Sequence, residues 1–315
     1  YFEELPKPSV LLRRARIWRK NSLIDTVEHE QILSGVIEDG RMTSRYSFMV
    51  TMSCAIAILG LLLSSPAVVI GAMLISPLMG PIMSLGFSLC VINHKQMRRA
   101  LEAIVIGFLL SIGISIFIVY FSPLTDPTSE IMARTQPNLF DLMVAIFSGL
   151  AGGYATIKQK GATIVGVAIA TALMPPLAVV GYGIATLNMS IALGALFLFM
   201  TNLLAISLSV TVLAKWYGFG AHNGPSHTLV QSGLVFLVFA VLSFPLGISL
   251  SKIAYQTYAT KTAKYEIEKQ FELSESRISN FSIYFRKDNS FDIDSVIITS
   301  EYKPTATKNV QTALQ

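Results

Sequence analysis

Long apolar runs joined by short polar links dominate the chain. A helix needs about 20 apolar residues to cross the hydrocarbon core. Seven stretches meet that length, at 46–63, 66–92, 100–121, 139–157, 162–186, 189–214 and 229–251. The first is a little short, and Gly149, Gly152 and Gly153 weaken the fourth. The short links predict consecutive helical hairpins.

One pattern occurs twice within these runs. Residues 70–86 read IGAMLISPLMGPIMSLG and residues 165–181 read VGVAIATALMPPLAVVG. They align without a gap at an offset of 95 residues. Gly71 meets Gly166, Leu78 meets Leu173, Met79 meets Met174, Pro81 meets Pro176 and Gly86 meets Gly181. Ser76 falls opposite Thr171. The same offset carries the first stretch onto the fourth and the third onto the sixth, with Ser53 opposite Ser148 and Asn93 opposite Asn188. The repeating unit therefore holds three spans, and an odd number inverts the second copy in the membrane.

Charge supports the inversion. Arg13, Arg14, Arg16, Arg19, Lys20, Arg41 and Arg45 precede the first stretch. Lys95, Arg98 and Arg99 join the second and third, Lys158 and Lys160 join the fourth and fifth, and Lys215 follows the sixth. Links on the other side hold only Arg134. The positive-inside rule then puts the N-terminus in the cytoplasm and the tail outside. Nine basic residues from Lys252 onward run against that last placement.

Composition agrees with the pattern. The chain of 315 residues is 52% hydrophobic and 14% charged, with mean hydropathy +0.58. Soluble domains carry roughly 25% charged residues. The net charge of +5 reflects basic residues beside spans and does not point to nucleic acid. Cys54 and Cys90 lie inside apolar runs with no CxxC partner, so they read as wall residues. The chain starts at Tyr1, so it is expected to be a trimmed piece.

Prolines and glycines at mid-span define the candidate site. Proline removes a backbone donor and clashes with the preceding turn. Pro77, Gly80 and Pro81 are expected to interrupt the second span, and Pro175 with Pro176 the fifth. Irregular backbone at that depth survives only against protein or a water-filled cavity. Ser76, Pro77, Gly80, Pro81, Thr171, Pro175, Pro176 and Asn202 are the candidate substrate-binding residues, clustered where the two spans cross. Ser76 and Thr171 would offer hydroxyls. Glu102 and Asp141 sit one turn inside their spans, as capping carboxylates or as gates. The residues show no acidic group at mid-membrane, no metal or cofactor site, and no HExxH, GxSxG, P-loop or Rossmann pattern, so no enzyme is expected.

The ends differ from the middle. Residues 10–20 (VLLRRARIWRK) suit a helix on an anionic leaflet, and 22–38 continue as an apolar stripe. After a helical stretch near 253–274, runs 278–286 and 291–300 predict a hairpin around Lys287–Ser290, and 303–315 reads as disordered.

GAMLISPLMGPI, ALMPPLAVVGYGIA and TNLLAI resemble a bacterial and archaeal membrane family, domain of unknown function 389, over about residues 22–255. That resemblance implies a multi-span protein of a prokaryotic cytoplasmic membrane and no particular substrate. The fold expected is all-α and polytopic: a basic N-terminal region (1–45), two three-helix repeats of inverted topology (46–138 and 139–216) with broken helices 2 and 5, a seventh helix (217–252) and a small α/β tail (253–315). The function expected is transport, by a secondary transporter or facilitator. A membrane scaffold or sensor is the alternative. Expected partners are the lipid bilayer, a small solute or ion, and further copies of the chain.

Overall fold

The computed structural model describes residues 27–124, 126–159, 162–220, 258–267, 277–285, 291–298 and 309–311, together with residues 24, 241, 244, 247, 248, 251, 255 and 269. Two compact units, Tyr1–Leu246 and Gly247–Gln315, divide the chain.

The regular elements among the first unit's described residues are helices. In order the unit contains α1 (His29–Asp39), α2 (Ser44–Leu62), α3 (Pro66–Ile75), α4 (Met79–Val91), α5 (His94–Phe121), α6 (Ser129–Met132), α7 (Leu139–Lys158), α8 (Ala162–Ala185) and α9 (Met189–Trp216). Helices α2, α5, α7 and α9 are each long and apolar enough to cross a membrane. The pair α3 and α4 passes the same test together, bent by 57° at its break. The seventh expected span, 229–251, lies almost wholly outside the described residues, as does the basic helix expected at 10–20.

Polarity in this unit is arranged for lipid. Ser53, Ser84, Ser111, Ser115, Thr201, Asn202 and Ser207 are buried, whereas Leu109, Phe117, Phe121, Phe140 and Phe147 are exposed. Small and polar residues let membrane helices approach closely, and large apolar side chains face the acyl chains. The unit is an all-α, multi-pass membrane protein.

Local chemistry sets where each helix begins. Thr43 caps α2 by accepting from the Tyr46 N–H at 3.1 Å. Pro66 opens α3, where its missing N–H has no bond to lose. Asn93 and Asn188 cap α5 and α9. Asn138 and Asp141 form a capping box on α7, with the Asn138 N–H donating to Asp141 Oδ2 at 2.9 Å. The capping reading of Asp141 thus holds.

The 95-residue offset recurs in the backbone. Thr43 and Asn138 cap at matching positions, as do Asn93 and Asn188. Helices α5 and α9 both run 28 residues, with starts and ends one offset apart. Among the described residues, four non-glycine positions adopt positive φ: Ser64, Ile92, Gln159 and Leu187. They are two pairs at the same offset. A left-handed residue costs about 1–2 kcal/mol, so matched exceptions mark matched chain reversals.

Packing follows the offset as well. A Cβ at Gly86 would meet Val210 and the Ser207 carbonyl, joining α4 to α9. A Cβ at Gly181 would meet Ser115 and the Ile112 carbonyl, joining α8 to α5. Residues 207 and 210 stand one offset beyond 112 and 115. Each contact is therefore the other with the halves exchanged.

The second unit carries a helix over 258–267, with Ala259, Ala263 and Ile267 buried on one face. An antiparallel hairpin follows, β1 (Arg277–Phe285) and β2 (Phe291–Ile298), with Phe285 opposite Phe291 and an irregularity between Ile278 and Asn280. This is the hairpin expected around Lys287–Ser290, although its turn residues lie outside those described.

Candidate functional site

The first motif copy breaks as expected. Ser76 lies between α3 and α4 with φ −66° and ψ 123°. The residue before a proline is driven out of the helical region, and Pro77 follows it. Breaking the span leaves Ser76 with an extended backbone, and its Oγ is buried with no hydrogen-bond partner.

The second copy does not break. Instead of the interruption expected at Pro175 and Pro176, α8 is one helix from Ala162 to Ala185. The place of Pro77 is taken by Ala172, so the residue before it is free to stay helical. Pro176 cannot donate to the Ala172 carbonyl four residues back. Asn202 of α9 does so instead, its Nδ2 donating to that oxygen at 2.9 Å. A side chain on a neighbouring helix thus satisfies the freed backbone group. Asn202→Leu removes this donor, and thermal unfolding in detergent should show Tm lowered by roughly 2–12 °C. An unchanged Tm would show that the carbonyl needs no partner.

Two cavities flank the motif copies. The first, of about 790 Å³, has Ser76, Pro77, Met79 and Gly80 on its wall. The end of α1 (Glu38, Asp39), the start of α2 (Arg45, Tyr46) and the end of α7 (Thr156, Gln159) complete it. A Cβ at Gly80 would collide with the Asp39 carbonyl, so glycine lets α1 seat against the break. The second cavity, of about 250 Å³, is lined by Ala133 and Arg134 after α6, Asp141 and Val144 of α7, Ala172 and Pro176 of α8, and Leu198 and Asn202 of α9. Arg134 pairs with Glu130 at 3.0 Å.

The cavities are equivalent places in the chain. Ala133, Arg134, Asp141, Val144 and Ala172 around the second stand one offset beyond Glu38, Asp39, Tyr46, Met49 and Pro77 around the first. They also lie toward opposite ends of α7. Val144 borders one and Ala155 the other, about 17 Å apart along the axis at 1.5 Å per residue.

The expected site is therefore divided. Ser76, Pro77 and Gly80 border the first cavity, and Pro176 and Asn202 the second. Pro81 and Pro175 are buried and border neither. Thr171 lies on α8, and its side chain is outside the described ones. One shared pocket where spans 2 and 5 cross is replaced by two, because only one copy opens. Sequence reasoning missed Glu38 and Asp39, whose helix folds back over the motif, and Arg134, which read only as a topology exception.

No solved structure matches this chain. An uncharacterized protein of the archaeon Methanocaldococcus jannaschii is 28% identical over 194 residues, which span 62% of this chain and 61% of that protein. Residues 73–208, which run from the first motif copy through most of α9, match the model of the family described as domain of unknown function (DUF389), the family that the motifs resemble.

Proposed function

We propose that this chain is a membrane transport protein, a secondary transporter or facilitator, whose two three-span halves have inverted topology. Small solutes or ions would reach the repeated motif from one face through the first cavity and from the other through the second. The observation that carries this reading is the pair of equivalent cavities near opposite ends of α7. Each is bordered by a motif or motif-partner residue with an unsatisfied buried oxygen, Ser76 Oγ or Asn202 Oδ1. The matched caps, the matched positive-φ residues and the reciprocal Gly86 and Gly181 contacts support a pseudo-two-fold relation between the halves. The proposed orientation, with the first cavity on the cytoplasmic side of a prokaryotic inner membrane, is supported by the basic residues Arg41 and Arg45 beside that cavity.

Proteoliposomes test the proposal. Flux of Na⁺, K⁺, NH₄⁺, chloride or glycerol should exceed that of protein-free vesicles for at least one solute. Ser76→Leu should lower that flux roughly tenfold, the effect of about 1.4 kcal/mol on a barrier. No flux for any solute, or full flux in Ser76→Leu, contradicts it.

A further inference from the structure

The two halves fill equivalent space differently. In the first half, the Tyr46 ring occupies the seam between α2 and α5. Its hydroxyl donates to the Ala103 carbonyl at 3.0 Å. A Cβ at Gly107 would collide with that hydroxyl. One offset later stand Asp141, Leu198 and Asn202, and all three border the second cavity. An aspartate is shorter than a tyrosine by the whole ring. The space that a phenol fills in one half is therefore open in the other.

The residue at the Tyr46 position has no donor either. Where Tyr46 donates, Asp141 only accepts, one of its oxygens being held by the Asn138 N–H. Asn202 adds a second acceptor. Its amide orientation is fixed, because Nδ2 donates to the Ala172 carbonyl, so Oδ1 is the free atom. Asn202 is 3% exposed and Oδ1 has no partner. A buried acceptor left unpaired is costly. Charge points the same way. Arg134 lines the same cavity and pairs with Glu130, so one guanidinium is shared between Glu130 and the Asp141 carboxylate. A small cation that coordinates oxygen fits such a pair of acceptors.

We propose that the second cavity binds a small monovalent cation, with the Asp141 carboxylate and Asn202 Oδ1 as its oxygen ligands. The cation takes the place that the Tyr46 hydroxyl holds in the first half. Building on the transport reading, this is the ion that moves through the protein or is coupled to its solute. An alkali metal ion and an ammonium ion share this chemistry, and the test separates them.

The purified full chain is unfolded thermally in detergent, with NaCl, KCl or NH₄Cl replacing choline chloride at constant ionic strength. Choline carries charge but no N–H, and its methyl groups keep oxygens at a distance. At least one small cation should raise Tm saturably, by roughly 3–6 °C. A response to Na⁺ or K⁺ assigns a metal ion, and a response to NH₄⁺ alone assigns an N–H donor. Asp141→Asn, which keeps an acceptor for the helix cap, should abolish the shift. Asp141→Tyr should abolish it as well, by filling the cavity as the first half does, and it stands in if the asparagine variant folds poorly. Equal Tm in all four salts overturns the site, as does a shift that survives either substitution. Because binding is read without flux, that failure leaves the transport reading intact. Cation binding in a protein that moves nothing leaves the site and removes the transport reading.

Discussion

Leucine at Gly86 or at Gly181 lowers the yield of folded, monodisperse protein roughly tenfold, and to the same extent at both positions. The size follows from overpacking, which costs about 1–3 kcal/mol or more in a well-filled interior. Neither glycine has room. Val210 and the Ser207 carbonyl press on Gly86, and Ser115 and the Ile112 carbonyl press on Gly181. Backbone stands behind both positions, so a side chain there must push one helix off another. The equality follows from exchange of the halves, since each contact is the other moved by one offset. Gly71→Leu and Gly113→Leu are the controls, because nothing lies within 4 Å of a Cβ at either position. Size-exclusion profiles of the four variants check the prediction. Normal yield from Gly86→Leu, or a loss at only one of the pair, would contradict a reciprocal interface.

Plugging either cavity alone should stop flux. Gly35→Trp places an indole in the first cavity, from an α1 position with open space around its Cβ. Val144→Trp places one in the second. Each should lower proteoliposome flux roughly tenfold or more, with Tm within a few degrees of wild type. The reason is geometric: if both cavities are stations on one path, a block at either is a block of the whole. Full flux in one plugged variant would mean that its cavity is off the path.

Much of this arrangement is legible in the sequence because membranes leave few choices. Span lengths follow from bilayer thickness: the described helices follow the bounds of six expected stretches, and four of them, or five with the bent pair, are long and apolar enough to cross a membrane. Here α5 begins earlier than its apolar run, since Asn93 starts the helix and His94 through Arg99 extend it into the polar region. The 95-residue offset predicts matched caps because a cap depends on one side chain and three following N–H groups. What the offset does not predict is the difference between the copies. Both motifs contain two prolines, and counting them suggests two breaks. The outcome turns on more than the pre-proline position, since Pro77 follows Ser76 at the break and none follows Thr171, yet Met174 stays helical ahead of Pro175. It turns also on Asn202, which reaches the Ala172 carbonyl from 30 residues away. Such long-range satisfaction leaves no local signal. The second cavity was hidden for a related reason. Its polar residues come from a loop and two helices, and Asp141 also has the ordinary duty of a helix cap.

The central claim is that the repeated motif meets water from opposite faces of the membrane, and thiol labelling tests it most directly. Cys54 and Cys90 are buried and would first be replaced by alanine. Thr156→Cys then reports on the first cavity and Ala133→Cys on the second. A membrane-impermeant maleimide is applied to right-side-out and to everted vesicles. Thr156→Cys should label only in everted vesicles, and Ala133→Cys only in right-side-out ones. Labelling of both positions from the same face would contradict the account.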